Sequence, residues 1–474
     1  MTILPYFCAP EKMRTSHTIL SKMLGAFVLL VLSALLPACA FAQADAIADN
    51  NAPDTTASAH ALPRWNLHFQ STYIYQYKPT FNADYSGQNS LKTAEERDNS
   101  ITATLFLGIR LWKGAELYIN PEIAGGSGLS GAYGMAASTN GETFRVGDPS
   151  PTLYLARGYL KQTIALDDKT TRADDGANQL QTTYATRNLS FYLGKFSLGD
   201  LFDNNVFATG PRISFLNWCF MNNGAWDYAA NLRGYTLSFT TALQWDNMTY
   251  KAALATMPTV ANGPDLNTNI SQEYAINAEV TRSFKINKKD GHLRLLGYYN
   301  NGDMGSYRES MQKTTFAGPP DVTITRQYYR DKYGVGLNFD QQLTRTLGMF
   351  ARAGWSDGQN ETWCFTEADR SVSAGLCVNG AKWKRKDDNF GVAVVVNGLS
   401  DIHEKYLANG GMGFQLGDGT LNYAHETVAE CYYSYKPVAS GIWLSLDYQF
   451  ALNPGYNADR GPVHVFSFRA HVEL

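Results

Sequence analysis

Apolar and polar residues alternate strictly along the last part of the chain. Ile442, Leu444, Leu446, Tyr448 and Phe450 share one parity, against Trp443, Ser445, Asp447 and Gln449 on the other. Asn453-Pro454-Gly455 and Asp459-Arg460-Gly461-Pro462 interrupt the pattern with turn chemistry. It then resumes as Phe466, Phe468, Ala470, Val472 and Leu474 against Val465, Ser467, Arg469, His471 and Glu473. A period of two predicts two β-strands, each with one apolar face. The charged second face suits a wet lumen and the apolar face suits lipid, as in an outer-membrane barrel. Such a sheet must close, because an unpaired strand edge has no place in hydrocarbon.

The same alternation opens the barrel at Trp65. Trp65, Leu67, Phe69, Tyr73, Tyr75 and Tyr77 alternate with Asn66, His68, Gln70, Thr72, Gln76 and Lys78. Residues 101–111 and 115–123 form a predicted hairpin across Lys113-Gly114, which sends Arg110, Glu116 and Glu122 to one side. Residues 125–148 are rich in glycine and serine and read as a long loop. Strands are further expected over 154–166, 189–196, 232–243, 249–257, 274–284, 293–300, 328–339, 347–355, 389–397 and 428–435, so the count reaches the mid-teens. Beyond the leader no apolar run approaches 18 residues, which excludes transmembrane helices, and no repeat of 20–50 residues points to a propeller or solenoid. A soluble array of sandwiches would also alternate, with fewer Tyr on its buried faces and more Lys and Glu on its exposed ones.

Residues 1–42 read as an export signal. Lys12, Arg14 and Lys22 precede an apolar run over 24–36, and Ala40-Phe41-Ala42 fits a small-x-small cleavage site, with Met13 and Met23 as alternative starts. A membrane anchor is disfavoured by the short run, and lipidation at Cys39 by Pro37. Residues 43–62 are polar, lack periodicity and read as a flexible entry segment. The remaining 63–474 is the barrel domain.

Composition fits this division. Aromatics are 13%, with 28 Tyr; Gly numbers 41 and charged residues are 18%. Tyrosine-rich and glycine-rich chains suit barrels with aromatic girdles. Loss of the leader removes Lys12, Arg14 and Lys22 against Glu11, taking the formal charge from −3 to −5. A weakly acidic chain argues against nucleic acid as a partner. Cys219, Cys364, Cys377 and Cys431 remain after cleavage. Cys364 and Cys377 flank a polar stretch, 365–376, expected to be a loop that a disulfide could close in an exported protein. Their spacing fits no metal pair, and the sequence calls for no metal or cofactor.

Several blocks resemble the carbohydrate-selective porin family (OprB type). They are Gly194-Lys195-Phe196-Ser197-Leu198-Gly199-Asp200-Leu201-Phe202-Asp203; Phe215-Leu216-Asn217-Trp218 with Asp227-Tyr228-Ala229-Ala230 and Arg233-Gly234-Tyr235; and Phe350-Ala351-Arg352-Ala353-Gly354-Trp355-Ser356-Asp357-Gly358. Others lie around Tyr406-Leu407, Gly417-Asp418-Gly419 and Leu421-Asn422-Tyr423, and in Asn453-Pro454-Gly455-Tyr456. Together they span roughly 65–474 in the family's order. The resemblance implies an all-β fold: a transmembrane antiparallel β-barrel of about 16 strands in the bacterial outer membrane. It implies passive diffusion of mono- or oligosaccharides, with outer-membrane lipid and the barrel-assembly machinery as the other partners, and leaves monomer and homotrimer open. Leu474 stands where such barrels usually end in Phe, and keeps the position apolar.

A neutral sugar needs hydrogen-bond partners at a narrow point and aromatic faces for its C–H surface. Parity places Arg110, Glu116, Glu122, Glu279, Arg352, Asp447, Arg469 and Glu473 on the lumen side, with Tyr118 and Trp443 as stacking candidates. Both signs of charge occur, whereas an anion pore would carry excess Arg and Lys. Taken singly, each charge is better read as pairing across strands and stiffening the wall; taken as a set, they suit a constriction. Asp200 and Asp203 read as loop caps before cation ligands. No catalytic residue is assigned: His403-Glu404 lacks the second His of HExxH, and Gly-x-Ser-x-Gly is absent. The expectation is a sugar porin and not an enzyme. A polysaccharide export channel or a general diffusion porin is the alternative.

Overall fold

The computed structural model describes residues 62–143, 150–313, 318–437 and 441–474. The expected signal peptide and most of the entry segment lie outside them. Sixteen strands form one closed antiparallel barrel in which each strand pairs with its sequence neighbours. They are β1 (Trp65–Lys78), β2 (Glu96–Trp112), β3 (Ala115–Gly125), β4 (Thr152–Ala165), β5 (Asn188–Phe196), β6 (Thr236–Trp245), β7 (Met248–Ala255) and β8 (Tyr274–Ile286). The circuit continues with β9 (Lys289–Met304), β10 (Gln327–Gln342), β11 (Leu347–Ser356), β12 (Arg370–Gly380), β13 (Arg385–Gly398), β14 (Glu426–Tyr435), β15 (Ile442–Leu452) and β16 (Val463–Glu473). Strand β16 closes on β1, with Ala470 opposite Tyr73 and Phe468 opposite Tyr75. At the seam the Phe69 and Leu474 backbones exchange hydrogen bonds of 3.0 and 2.8 Å. No backbone edge is left for lipid to meet.

Alternation decides the two faces. Leu67, Leu193, Leu295, Val372 and Leu446 are exposed outward, while Thr72, Asn277, Asn338, Ser373 and Gln449 are buried inward. Trp65, Trp112 and Trp245 are exposed at one end of the barrel. Indole rings favour the membrane interface, so they mark one girdle. Most connections at that end are short: 113–114, 246–247, 287–288, 343–346 and 381–384. Long loops occupy the other end. Short turns are periplasmic and long loops extracellular in such barrels.

One barrel strand escapes the alternation reading. Strand β12 occupies most of the stretch expected as a loop between Cys364 and Cys377. Its inward residues are Ser371, Ser373 and Gly375, too small to contrast with Val372 and Ala374 outside. A side chain at Gly375 would overlap the Phe350 ring, and Gly224 of an extracellular loop lies against Ser371. The disulfide expectation fails for the same reason, and among the described residues Cys219, Cys364, Cys377 and Cys431 are free. From Arg370 to Cys377 the chain is extended and rises roughly 23 Å at ~3.3 Å per residue. A disulfide requires Cα atoms within about 7 Å.

Candidate functional site: a lumen divided by an inward loop

Loop L3 (residues 197–235) follows β5 and turns into the barrel. It starts with a capping box in which the Asp200 carboxylate accepts from Ser197 N–H at 3.2 Å. It then crosses to the far wall, where buried charges hold its backbone. Arg352 on β11 donates to Phe220 O at 2.7 Å and Asp203 O at 3.0 Å, and its Nε lies 3.0 Å from Asp203 Oδ2. Glu430 on β14 accepts from Leu216 N–H at 2.5 Å and Asn217 N–H at 3.0 Å. Arg469 on β16 donates to Pro211 O at 2.5 Å and Ser214 O at 2.6 Å. The wall is also shaped to admit the loop: a Cβ at Gly348 would overlap the Phe207 ring, and one at Gly354 the Asn223 amide. L2, between β3 and β4, lies beside L3, with Asn140 donating to Ser100 Oγ and Trp218 Nε1 donating to Asn140 O at 2.8 Å. Irregular backbone is tolerated at this depth because its polar groups are answered inside the barrel.

The inward loops leave a cavity of about 380 Å³ along the β1–β4 side. Its outer part has an aromatic shelf. Trp218 of L3 stacks on Phe365 of L6 (residues 357–369) at 5.6 Å and 10°, and Tyr228 meets Phe365 at 4.6 Å. Below it lies a ring of opposed charges. Arg212 Nη2 lies 3.0 Å from Glu122 Oε2, and its Nε 3.0 Å from Glu142 Oε2. Glu122 also accepts from Thr104 Oγ1 at 2.5 Å, from Tyr235 OH at 3.2 Å and from Tyr154 OH. Arg157 grips Asp200 with two hydrogen bonds of 2.7 and 2.6 Å and lies over the Tyr235 ring at 5.2 Å. Arg233 lies 4.1 Å from the Tyr154 ring centre. Burial alone would lower the Arg212 pKa, but the facing Glu142 and Glu122 carboxylates outweigh it and raise it, so the guanidinium keeps its charge. The ring therefore offers fixed donors and acceptors together, with little net field.

Of the residues placed inward by parity, Glu122 and Glu473 line this cavity. The others face inward and do different things. Arg352 and Arg469 hold L3, and Glu279 accepts from Asp203 N–H while pairing with Lys251 at 2.9 Å. Asp447 is buried beneath L3 near Arg469. Glu116 pairs with Lys161 at 3.3 Å and accepts from Tyr118 OH at 2.9 Å. Tyr118 itself is fully covered and packs on Tyr159 at 5.2 Å. Arg110 lies near the β2–β3 turn and donates to Pro63 O and Gln181 O, both at 2.8 Å. Trp443 lies near the β14–β15 turn, against His471 and under the Lys436 ammonium. Asp200 and Asp203, expected as caps, serve as a cap and a loop anchor.

Parity missed the three arginines of the ring. Arg212 and Arg233 belong to L3: the strand expected over 232–243 begins only at Thr236, so alternation carries no information at either residue. Arg157 lies beyond a register shift between Asn120 and Pro121 on the paired strand, and a bulge moves the inward set by one residue. Pro121, a residue favoured at bulges, is the available signal.

The high-pH structure of Pseudomonas putida OprB has a similar fold, with a TM-score of 0.65 at 17% identity, covering 86% of this chain and 94% of that one. The low-pH structure of the same protein gives 0.46 at 14% identity, covering 86% and 92%. The outer membrane channel DcaP of Acinetobacter baumannii gives 0.48 at 11% identity, covering 86% and 97%. No curated protein sequence matches the chain. The sequence does match the carbohydrate-selective porin, OprB family over residues 88–474. The chain belongs to that family: it is an integral outer-membrane β-barrel porin through which sugars diffuse passively.

Proposed function

We propose that the selectivity of this porin lies in the ring formed by Arg212, Glu122, Arg157 and Asp200, with Trp218, Phe365 and Tyr228 as the approach to it. The observation that carries this reading is Arg212, a guanidinium on an inward loop held between two carboxylates inside the cavity. Sugar hydroxyls exchange with water against donors and acceptors already in place, while the ring C–H face slides over the aromatic shelf. Near-balanced charge admits neutral solutes without concentrating ions of one sign. The same balance disfavours a polysaccharide export channel, whose anionic cargo calls for a basic lumen. The protein is in this reading a conduit and not an enzyme. Delivery to the membrane falls in this reading to the barrel-assembly machinery. Monomer and homotrimer are separated by cross-linking in outer-membrane vesicles.

The test is planar-bilayer conductance of the refolded chain, titrated with glucose and with maltooligosaccharides. Ion current that falls in a saturable way with added sugar is the expected result. Current unaffected by sugar overturns the ring as a sugar site and makes the protein a general diffusion porin.

A further inference from the structure

One connection at the periplasmic end is long. Between β4 and β5, residues 166–187 form a hairpin whose short strands, Thr170–Ala173 and Thr182–Ala185, pair antiparallel. Its tip doubles back into the barrel mouth, and one wall holds it there. Asn66 on β1 donates to Asp175 Oδ1 at 2.8 Å and to the carbonyls of Gly176 and Gln179 at 3.2 and 2.9 Å. His68 Nε2 lies 3.0 Å from Asp175 Oδ2. Arg110 on β2 donates to Gln181 O at 2.8 Å. Tyr118 on β3 accepts from Leu180 N–H at 3.2 Å, and the Leu180 side chain is fully buried.

This wall is built to receive the tip. Gly108 faces inward between the two main holdfasts, opposite Asn66 on one side and Tyr118 on the other. A Cβ there would overlap Asn66 Oδ1 and press on the Tyr118 ring. A turn that only joined two strands would need no such pocket, since turn backbone at the periplasmic face can be solvated by water. Held in this way, Ala177 at the apex is exposed and lines the same cavity as Arg212 and Glu122, in company with Gln70, His471 and Glu473. Those three come from the closing strands β1 and β16, near the periplasmic end.

We propose that the hairpin tip, residues 175–180, is a second constriction at the periplasmic exit, and that Ala177 sets the size of sugar that leaves the channel. The extracellular ring and this exit act in series, so a solute that satisfies the first is still sieved by the second. The roles of Arg110 and Tyr118 follow: they act on the sugar through the tip they hold, as positioning residues. The inference rests on the reading of the chain as a sugar channel.

The test uses the whole refolded barrel in liposomes and planar bilayers, with Ala177→Trp and Asn66→Ala. Heat-modifiable migration on gels establishes that each barrel is closed. Ala177→Trp adds bulk at a residue that makes no side-chain hydrogen bond and should cut maltotriose flux several-fold more than glucose flux. Asn66→Ala frees the tip and should raise single-channel conductance and admit longer maltooligosaccharides. Equal loss of glucose and maltotriose flux in the first variant, or unchanged flux ratios in both, overturns the proposal. A lower unfolding temperature in Asn66→Ala with unaltered flux assigns the hairpin a structural role only, and also overturns it. Absence of current from folded wild-type protein would instead sink the channel reading itself.

Discussion

Arg212 shows what a single loop residue does in a lumen of this kind. It touches Glu122 and Glu142 at 3.0 Å each, and both carboxylates have further hydroxyl donors. Arg212→Ala leaves both acids hydrogen-bonded by Thr102 and Thr104 and opens them to the water of the cavity they line, so the barrel stays folded. The cavity loses its central fork donor and gains uncompensated negative charge. A hydrogen bond to a charged group is worth about 1.5–3 kcal/mol. The glucose concentration that half-blocks ion current should then rise about tenfold or more, by the usual 1.4 kcal/mol per decade, and cation selectivity should increase. Arg212→Lys keeps the charge without the planar fork and should restore ion selectivity while leaving sugar block weak. Equal recovery of both would show that charge alone is at work. Residue-scale chemistry was only partly legible in the sequence. Parity puts Glu122 and Glu473 inside, because strand geometry fixes which face a side chain takes. It also puts Arg352 and Arg469 inside, yet cannot show that a loop lies over them. The inward face of a strand and the surface of a pore coincide only where no loop intervenes.

At the scale of elements, L3 converts a wide barrel into a narrow one. Its hold on the wall is concentrated in Arg352, Glu430 and Arg469, whose partners are mostly backbone carbonyls and N–H groups. Removing one side of a buried charge pair costs about 3–5 kcal/mol. Arg352→Ala leaves Asp203 buried without its cation, and Arg469→Ala releases the 211–214 segment. The double variant should loosen L3 within a barrel whose strand ladders are intact. Conductance should rise, sugar block should vanish, and L3 should become cleavable by added protease. Lost block with unchanged conductance and no new cleavage would mean that these arginines touch the sugar directly. The strands were readable because alternation is a local signal, and β12 was not, because L3 crowds it at Ser371 and the Phe350 ring of β11 crowds it at Gly375. Its inward positions had to shrink to Ser and Gly, and small residues erase the contrast on which alternation depends. The same pressure places glycine at Gly348 and Gly354.

At the scale of the whole molecule, buried carboxylates of the extracellular end tie distant loops together. Asp369, at the end of L6, lies 3.3 Å from Lys332 Nζ on β10 and 2.9 Å from His403 Nδ1 on the helix Asp401–Ala408, and accepts from Ser400 N–H at 3.0 Å. Glu367 accepts from Gln415 and Leu416 N–H at 2.8 and 2.7 Å, which fastens L6 to the segment after that helix. The Tyr307 ring stacks on His403 at 4.2 Å and adds the loop before β10. None of these contacts is local in sequence, so no pattern of hydrophobic and polar residues announces them. They have a pH signature. Burial works against ionisation of Asp369, but Lys332, His403 and the Ser400 N–H more than offset it and hold the carboxyl well below the usual range. A depressed carboxylate stabilises the folded state fully above its unfolded pKa of about 4, and that stability is lost as pH falls below it toward the folded value. Glu367 has the opposite sign. Burial raises its pKa, so it takes up a proton first, and its protonation favours the cap that L6, the helix Asp401–Ala408 and the loop before β10 form together. The two effects oppose each other as a solution is acidified, and the cap should stay closed from neutral pH to about pH 4 and loosen only below it. Hydrogen exchange at Ser400 and His403 amides, followed from neutral to acid pH, checks this. Asp369→Asn should raise exchange at neutral pH and flatten its acid dependence. Loosening of the wild-type loops between neutral pH and pH 5 would remove Asp369 as the hub.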